Sequence, residues 1–322
     1  MSPQVPDHVI DVSLIVPVFN EEAAIPGFMH RVGAVMADLG VSWEAIFVND
    51  GSNDNTLQVL RDAQRGHNNV GVIDFSRNFG KEAALTAGLD FARGQVAIPI
   101  DVDLQDPPEL IGEMLEKWRE GYDVVFAVRS VRESDSHMKS FSARAFYRFY
   151  NWMSQVEIPR NAGDFRLMDR KVVEALRHMP ERNRFMKGLF AWPGFRQTSV
   201  RYERPARSEG TSKFNYWKLW NFAIDGMTSF STVPLRVWSY VGAMIAMVSF
   251  IYAVFLIART LIYGSDVPGY ASLMVVVLFL GGLQLLTLGI IGEYLGRTYQ
   301  EVKGRPIYLV RDTYGFGQDE TR

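Results

Sequence analysis

The run from Ile98 to Pro108 sets three carboxylates, Asp101, Asp103 and Asp106, at the end of an apolar stretch. Carboxylates this close repel one another unless a cation is shared among them. Asp101 and Asp103 stand two apart, and where a strand loses its regular pleat both can face one crevice. Gln105 adds an amide oxygen. Two carboxylates and an amide oxygen make a hard donor set suited to Mg2+ or Mn2+. Magnesium keeps waters and completes its shell with substrate phosphates. Pro107 and Pro108 follow at once, as a first helical turn tolerates. Asp-x-Asp by itself is a weak signal, so the elements around it must carry the case.

Five runs read as buried strands, at 12–19, 43–50, 70–76, 96–103 and 123–129. Helical patterns separate them at 22–39, 54–65, 81–92 and 108–119. This alternation predicts an α/β fold with a mostly parallel sheet covered on both faces. Ligands on such sheets bind at the carboxyl ends of the strands. Those ends are polar here: Asn20-Glu21-Glu22, Asn49-Asp50-Gly51-Ser52, Arg77-Asn78 with Lys81, Asp101 with Asp103, and Arg129. Asn20, Ser52 and Asp106 are also candidate helix caps. Capping accounts for one residue per strand end, not for a whole edge of carboxylates and cations. Asp50–Asn55 begins like a calcium loop, but Asn55 stands where an EF-hand needs glycine and Arg61 where it needs glutamate. Neither Gly-x-Gly-x-x-Gly nor a Walker lysine motif occurs, which leaves little support for a redox dinucleotide or an ATPase.

The chain has 322 residues, a net charge of −2 and no cysteine. That excludes disulfides and thiolate chemistry, and gives no electrostatic footprint for nucleic acid. The first twelve residues lack the apolar core of a signal peptide. Toward the other end, 237–258 and 267–292 run for 22 and 26 residues without a charge. Each exceeds the roughly 20 residues that cross a bilayer core. Arg297, Lys303, Arg305 and Arg311 follow the second stretch, whereas the intervening 260–266 has no lysine or arginine. The charge bias predicts a hairpin with both chain ends cytosolic. Gln284 and Thr287 are the only strongly polar groups deep in the second stretch, which argues against an ion pathway. Residues 214–231 place Trp217, Trp220, Ile224 and Met227 on one helical face, as interfacial helices do. In 137–152, aromatic residues interleave with Lys139, Arg144 and Arg148. That stretch suits either anionic headgroups, with Arg144 receiving an acceptor phosphate, or packing on the sheet.

VPVFNEE, NDGSNDNT, RNFGKEAAL, DVDLQDPPE, GDFRLMDR and EGTSKF occur in this order. Together they resemble the inverting family 2 glycosyltransferases of GT-A fold, and more narrowly the polyprenyl-phosphate glycosyltransferases related to dolichol-phosphate-mannose synthases. With FMKGLFAW, KLWNFAIDGMTSFSTVPLR and GEYLGRTYQEVKGRP added, the chain resembles the bactoprenol glucosyltransferases from about residue 12 to 311. The resemblance implies a cytosolic GT-A domain (1–213), an interfacial helix (214–233), two transmembrane helices within 234–294 (about 237–260 and 267–292) and a cytosolic tail (295–322). It implies that Pro17, Phe19, Glu21, Asp50 and Val102 hold the nucleotide sugar, and that Asp101, Asp103 and Gln105 hold the metal. Arg129 matches an active-site arginine and Asp164 a carboxylate near the acceptor. Arg207 and Lys213 match the cations of a loop that closes over the phosphates. The implied reaction moves glucose from UDP-glucose to undecaprenyl phosphate at the cytosolic face of a bacterial inner membrane, in a homo-oligomer that relatives suggest is a tetramer. UDP-galactose or UDP-N-acetylglucosamine as donor is the alternative, ahead of a non-catalytic scaffold or a lipid-linked-sugar flippase. Glu181–Phe185 approximates the Gln-x-x-Arg-Trp signature of processive synthases, with glutamate and phenylalanine substituted.

Overall fold

The computed structural model describes residues 10–129, 162–179, 181–182, 184, 186–202, 233–263 and 269–316. They fall into two compact units: strands, shorter helices and 305–316 in one, and two long helices in the other. In the first unit, strands β1 (Val12–Val18), β2 (Trp43–Asn49), β3 (Val70–Phe75), β4 (Val96–Pro99) and β5 (Val124–Arg129) alternate with helices. The helices are α1 (Ile25–Leu39), α2 (Thr56–Gly66), α3 (Lys81–Phe91) and α4 (Leu110–Arg119). The next elements are β6 (Ala162–Asp169), α5 (Arg170–Arg177), α6 (Met186–Ala191) and β7 (Gln197–Tyr202). A final strand, β8 (Val310–Tyr314), comes after the two long helices. All eight strands form one sheet in the order β7-β5-β6-β4-β1-β2-β3-β8. Strand β6 runs antiparallel to β4 and β5, and β8 antiparallel to β3; the remaining pairs are parallel.

The central strands are buried on both faces, which is why they read as continuous apolar runs. Val12, Leu14, Val16, Phe28, Phe47 and Ile98 share one core, and Phe28 meets Phe47 edge-on at 5.7 Å. On the other face Gly88 lets α3 lie against Ile15, because a Cβ there falls 2.2 Å from the Ile15 side chain. Strand β1 is flanked by β2 on one side and β4 on the other. The chain therefore winds outward in two directions from β1, and the carboxyl ends of β1 and β4 border the crevice where such sheets bind ligands.

Three sequence expectations change. None of Asn20, Ser52 and Asp106 caps a helix: α1, α2 and α4 start later, from Ala24, Asn55 and Glu109, without side-chain caps. Strand β4 stops at Pro99, so Asp101–Asp106 is a turn, and Pro107 and Pro108 precede α4, accepting from Leu110 and Ile111. Residues 310–314 are a strand of the sheet, so they do not form a tail separate from the first domain.

The second unit holds α7 (Val233–Tyr263) and α8 (Tyr270–Lys303). Helix α8 continues past residue 294, the expected end of the spans. Among the described residues one helical stretch, Val275–Lys303, is long and apolar enough to cross a membrane, and α7 carries a shorter apolar stretch, Tyr240–Tyr252. Their large side chains are exposed, Phe250 and Leu285 among them. Thr287 returns its hydroxyl proton to the Leu283 carbonyl (2.9 Å), which satisfies the group without an outside partner.

Candidate active site

The crevice is a cleft of about 360 Å³. Pro17, Phe19, Glu21, Asp50 and Val102 all line it, together with Lys81, Asp101 and Asp103. Two left-handed residues shape its rims. Asn20 (φ 56°) turns the chain after β1, so that its N–H donates to Ser52 Oγ (2.9 Å) while its Oδ1 accepts from Asn53 N (2.8 Å). Asparagine tolerates this region because its short polar side chain bonds locally. Leu104 (φ 52°) does the same between Asp103 and Gln105. Phe19 is 43% exposed, an aromatic face open to a flat ring.

Asp50 is buried, and its two oxygens accept from Phe79 N (2.6 Å) and Gly80 N (2.9 Å) at the start of α3. Burial raises its pKa while these two N–H groups pull it back down. Next to it, Gly51 (φ 67°) passes so close to the Arg77–Asn78 peptide that a Cβ meets backbone atoms at 2.5 Å.

Lys81 answers the aspartates first. Its Nζ lies 2.8 Å from Asp101 Oδ1 and 2.9 Å from Asp164 Oδ2, so one ammonium joins the β4 turn to β6. Burial by itself would depress this lysine, but Asp164 and Asp101 hold it above its ordinary range. Beneath Asp164 is Arg166, two residues along the same strand and therefore on the same face. Arg166 is 5% exposed, stacks over Phe190 at 4.1 Å and donates to the Gly163 carbonyl (2.7 Å). Burial pushes it down to about 10 against the pull of Asp164 and Glu82. Sequence analysis counted Lys81 among the strand-end cations without naming its partners and overlooked Arg166; the period-2 spacing in GDFRLMDR was the available signal.

The expected metal donors are only partly assembled. Asp103 accepts from both the backbone N–H (3.1 Å) and the side-chain amide of Gln105. Gln105 therefore presents its amide nitrogen to Asp103, and a ligand role requires the amide to turn. Among the described residues no three His, Cys, Asp or Glu side chains form a metal-holding group. The charge nevertheless fits a divalent cation. Glu21 is raised by burial and then by Asp103, Asp54 and Asp101, and among the described cleft residues Lys81 is outnumbered by carboxylates. Hard oxygens in an open, anionic cleft suit Mg2+ or Mn2+.

Arg129 ends β5, and only its backbone is described. Lys139, Arg144, Arg207, Lys213 and residues 214–232 of the expected interfacial helix lie outside the described residues, while Val233 begins α7. Arg184 of the processive-type signature donates to the Met179 (2.9 Å) and Glu181 (3.2 Å) carbonyls just beyond α5. It closes the end of that helix.

The family model for glycosyl transferase family 2 matches residues 13–177, and a model described as the GtrB C-terminal hairpin matches 233–298. The glycosyltransferase sll0501 of Synechocystis is 55% identical, covering 95% of this chain and 96% of its own. The SfII prophage-derived bactoprenol glucosyl transferase of Shigella flexneri is 50% identical over 94% of this chain and 98% of its own. Among solved structures, the glucosyl-3-phosphoglycerate synthase of Mycobacterium tuberculosis is 17% identical, with a TM-score of 0.45 over 68% of this chain and 79% of that one.

Proposed function

We infer the reaction from one premise: the chain belongs to glycosyl transferase family 2, and its sheet is that of a GT-A glycosyltransferase. It moves glucose from UDP-glucose to undecaprenyl phosphate, giving glucosyl-phosphoryl-undecaprenol and UDP with inversion. The observation that carries this is the Lys81 bridge. A single ammonium ties Asp101, in the cleft, to Asp164 on the neighbouring strand, which supports a site in which a donor-side and an acceptor-side carboxylate work together. Bactoprenol as acceptor and glucose as sugar rest on the 50%-identical relative that spans nearly the whole chain.

Phe19 takes the uracil face, while Glu21 and the unused lone pairs of Asp50 meet the ribose. Pro17 and Val102 close the walls. Asp101 and Asp103, with Gln105 turned, would hold Mg2+ or Mn2+, and that ion would supply positive charge to the departing diphosphate. Arg207 and Lys213 approach from the other side in a loop that closes once substrates are present. A phosphate oxygen of the acceptor attacks the anomeric carbon in one displacement, with Arg129, Lys139 and Arg144 available to its charge. That phosphate has a second pKa of about 6 and is mostly a dianion at neutral pH. Asp164 therefore has little proton to remove, and it orients the acceptor and Lys81. The acceptor's lipid lies in the bilayer, against which α7 and α8 anchor the protein, with residues 214–233 in the interface and the catalytic sheet on the cytosolic side.

The test is transfer of radiolabel from a panel of UDP-sugars to undecaprenyl phosphate in membranes carrying the protein. Label should enter the lipid from UDP-glucose. Transfer from UDP-galactose or UDP-N-acetylglucosamine in its place would reassign the sugar, and no transfer from any would reject the reaction.

A further inference from the structure

Strand β8 is built from chain that follows both long helices, yet it completes the edge of the sheet beside β3. It is firmly seated. Tyr308 stacks on Phe75 at 5.2 Å and donates to Asp90 (2.8 Å), Tyr314 faces Arg61 at 4.9 Å, and Phe316 covers Gly71. From this strand Arg311 reaches across the edge. Its Nη2 donates to the Ser76 carbonyl (2.7 Å) and its Nη1 lies 3.6 Å from Asp74 Oδ2.

Asp74 is 1% exposed, and among the described residues its Oδ2 accepts no hydrogen bond and faces Arg311. Its other oxygen accepts from Asn49 Nδ2 (2.7 Å). An ionised carboxylate only accepts, and this fixes the Asn49 amide with its NH2 toward Asp74 and its oxygen away. That oxygen accepts from Ser52 Oγ (2.6 Å) and Ser52 N (3.3 Å). With its proton given to Asn49, Ser52 Oγ is left to accept from Asn20 N (2.9 Å). Asn20 is the left-handed residue that turns Phe19 and Glu21 into the cleft. Asn20, Ser52, Asn49 and Asp74 thus form a chain of hydrogen bonds each donated toward Asp74, and Arg311 faces the end of that chain as an ion pair. Burial holds the Asp74 carboxyl above its ordinary range, while the Asn49 amide and Arg311 act against that rise.

We propose that Arg311 is a positioning residue for the nucleotide-sugar side of the site, acting through Asp74, Asn49 and Ser52 on the Asn20–Glu21 turn. The assignment rests on the reaction inferred above. It makes the post-helix strand part of the donor site, so a chain ending after α8 lacks one support of that turn.

The test uses the full chain with Arg311→Gln and Arg311→Lys. Hydrogen exchange at the amides of Asn20 and Ser52 needs no substrate and reads the relay directly. In Arg311→Gln exchange should rise at both amides, and the KM for UDP-glucose should rise about tenfold while kcat and the KM for undecaprenyl phosphate stay within about twofold, the scale of coupling along a side-chain network. Arg311→Lys should recover most of the loss. Ser52→Ala, which cuts the relay at its far end and leaves the strand untouched, should reproduce the UDP-glucose effect should Arg311→Gln fail to fold. Unchanged exchange at Asn20 and Ser52, equal rises in both KM values, or a lysine variant no better than glutamine would overturn the proposal. Absence of transfer by the wild type would reject the reaction alone, since exchange still decides the relay.

Discussion

At the level of single residues, the cleft has more carboxylate than cation among the described residues. Lys81 serves Asp101 and Asp164, while among these residues Asp103 accepts hydrogen bonds from Gln105. Asp103→Asn removes the oxygen charge least compensated by protein, so turnover in Mg2+ or Mn2+ should fall at least ~10²-fold, the upper range for disturbing a metal site. Titrating activity against metal checks this, and full activity at ordinary magnesium would remove Asp103 from the site. Asp164 separates two chemistries. A general base contributes typically ~10²–10⁴-fold and gives the pH–rate profile its acid limb. With a phosphate acceptor of second pKa about 6, that limb belongs to the substrate. Asp164→Asn should therefore lower kcat while the acid limb persists, measured as kcat against pH at saturating substrates. A limb that vanishes in the variant would make Asp164 the base.

Among the elements, the loop after β2 is the most constrained. Asp50 closes the start of α3, which carries Lys81 as its first residue, and Gly51 lets the loop pass the Arg77–Asn78 peptide. Gly51→Ala places a Cβ on backbone that cannot swing aside, at a φ that costs an L-residue roughly 1–2 kcal/mol. It should lower the thermal unfolding temperature and also weaken UDP binding, because the Asp50 contacts shift with the loop. Calorimetric scanning beside UDP titration checks both; a variant as stable as the parent would show that the approach relaxes. The helix-cap expectation failed at this same loop. Asn20 and Ser52 have the residue types of caps, but they lie within reach of each other across two strand ends, and that tertiary bond replaced the local one.

For the molecule as a whole, the sheet takes strands from both sides of the apolar helices in sequence, since β8 follows α8. Both flanks of the helical pair therefore lead to one domain, and they must lie on the same side of any bilayer the helices cross. This agrees with the excess of lysine and arginine after the second helix. A cysteine at Ser265, between the helices, should react with an impermeant thiol reagent in intact cells, while one at Ser2 should not. The native chain has no cysteine to confuse the readout. The reverse labelling would invert the topology.

The sequence by itself determined the five parallel-type strands, four helices, strand-end chemistry and apolar hairpin. Each is written in local pattern: continuous apolar runs, 3.6-residue periodicity, and polar residues where the runs stop. Glu21, Asp50, Asp101 and Asp103 were legible for this reason, whereas Pro17, Phe19 and Val102 came from the family resemblance; all seven line the cleft. Tertiary structure alone decided which charges meet. Lys81 lies 20 residues from Asp101 and 83 from Asp164, yet it bridges them because α3 begins beside the crevice. Strand β8 was illegible because Val310–Tyr314 has little apolar alternation of its own and is half exposed. Its pairing comes from the open edge of β3, and its anchoring from Tyr308 on Phe75, Phe316 over Gly71 and Arg311 toward a buried aspartate. Hydrophobic periodicity is a property of one segment, whereas charge pairing and edge-strand addition depend on segments far apart in the chain, and only the folded sheet brings those together.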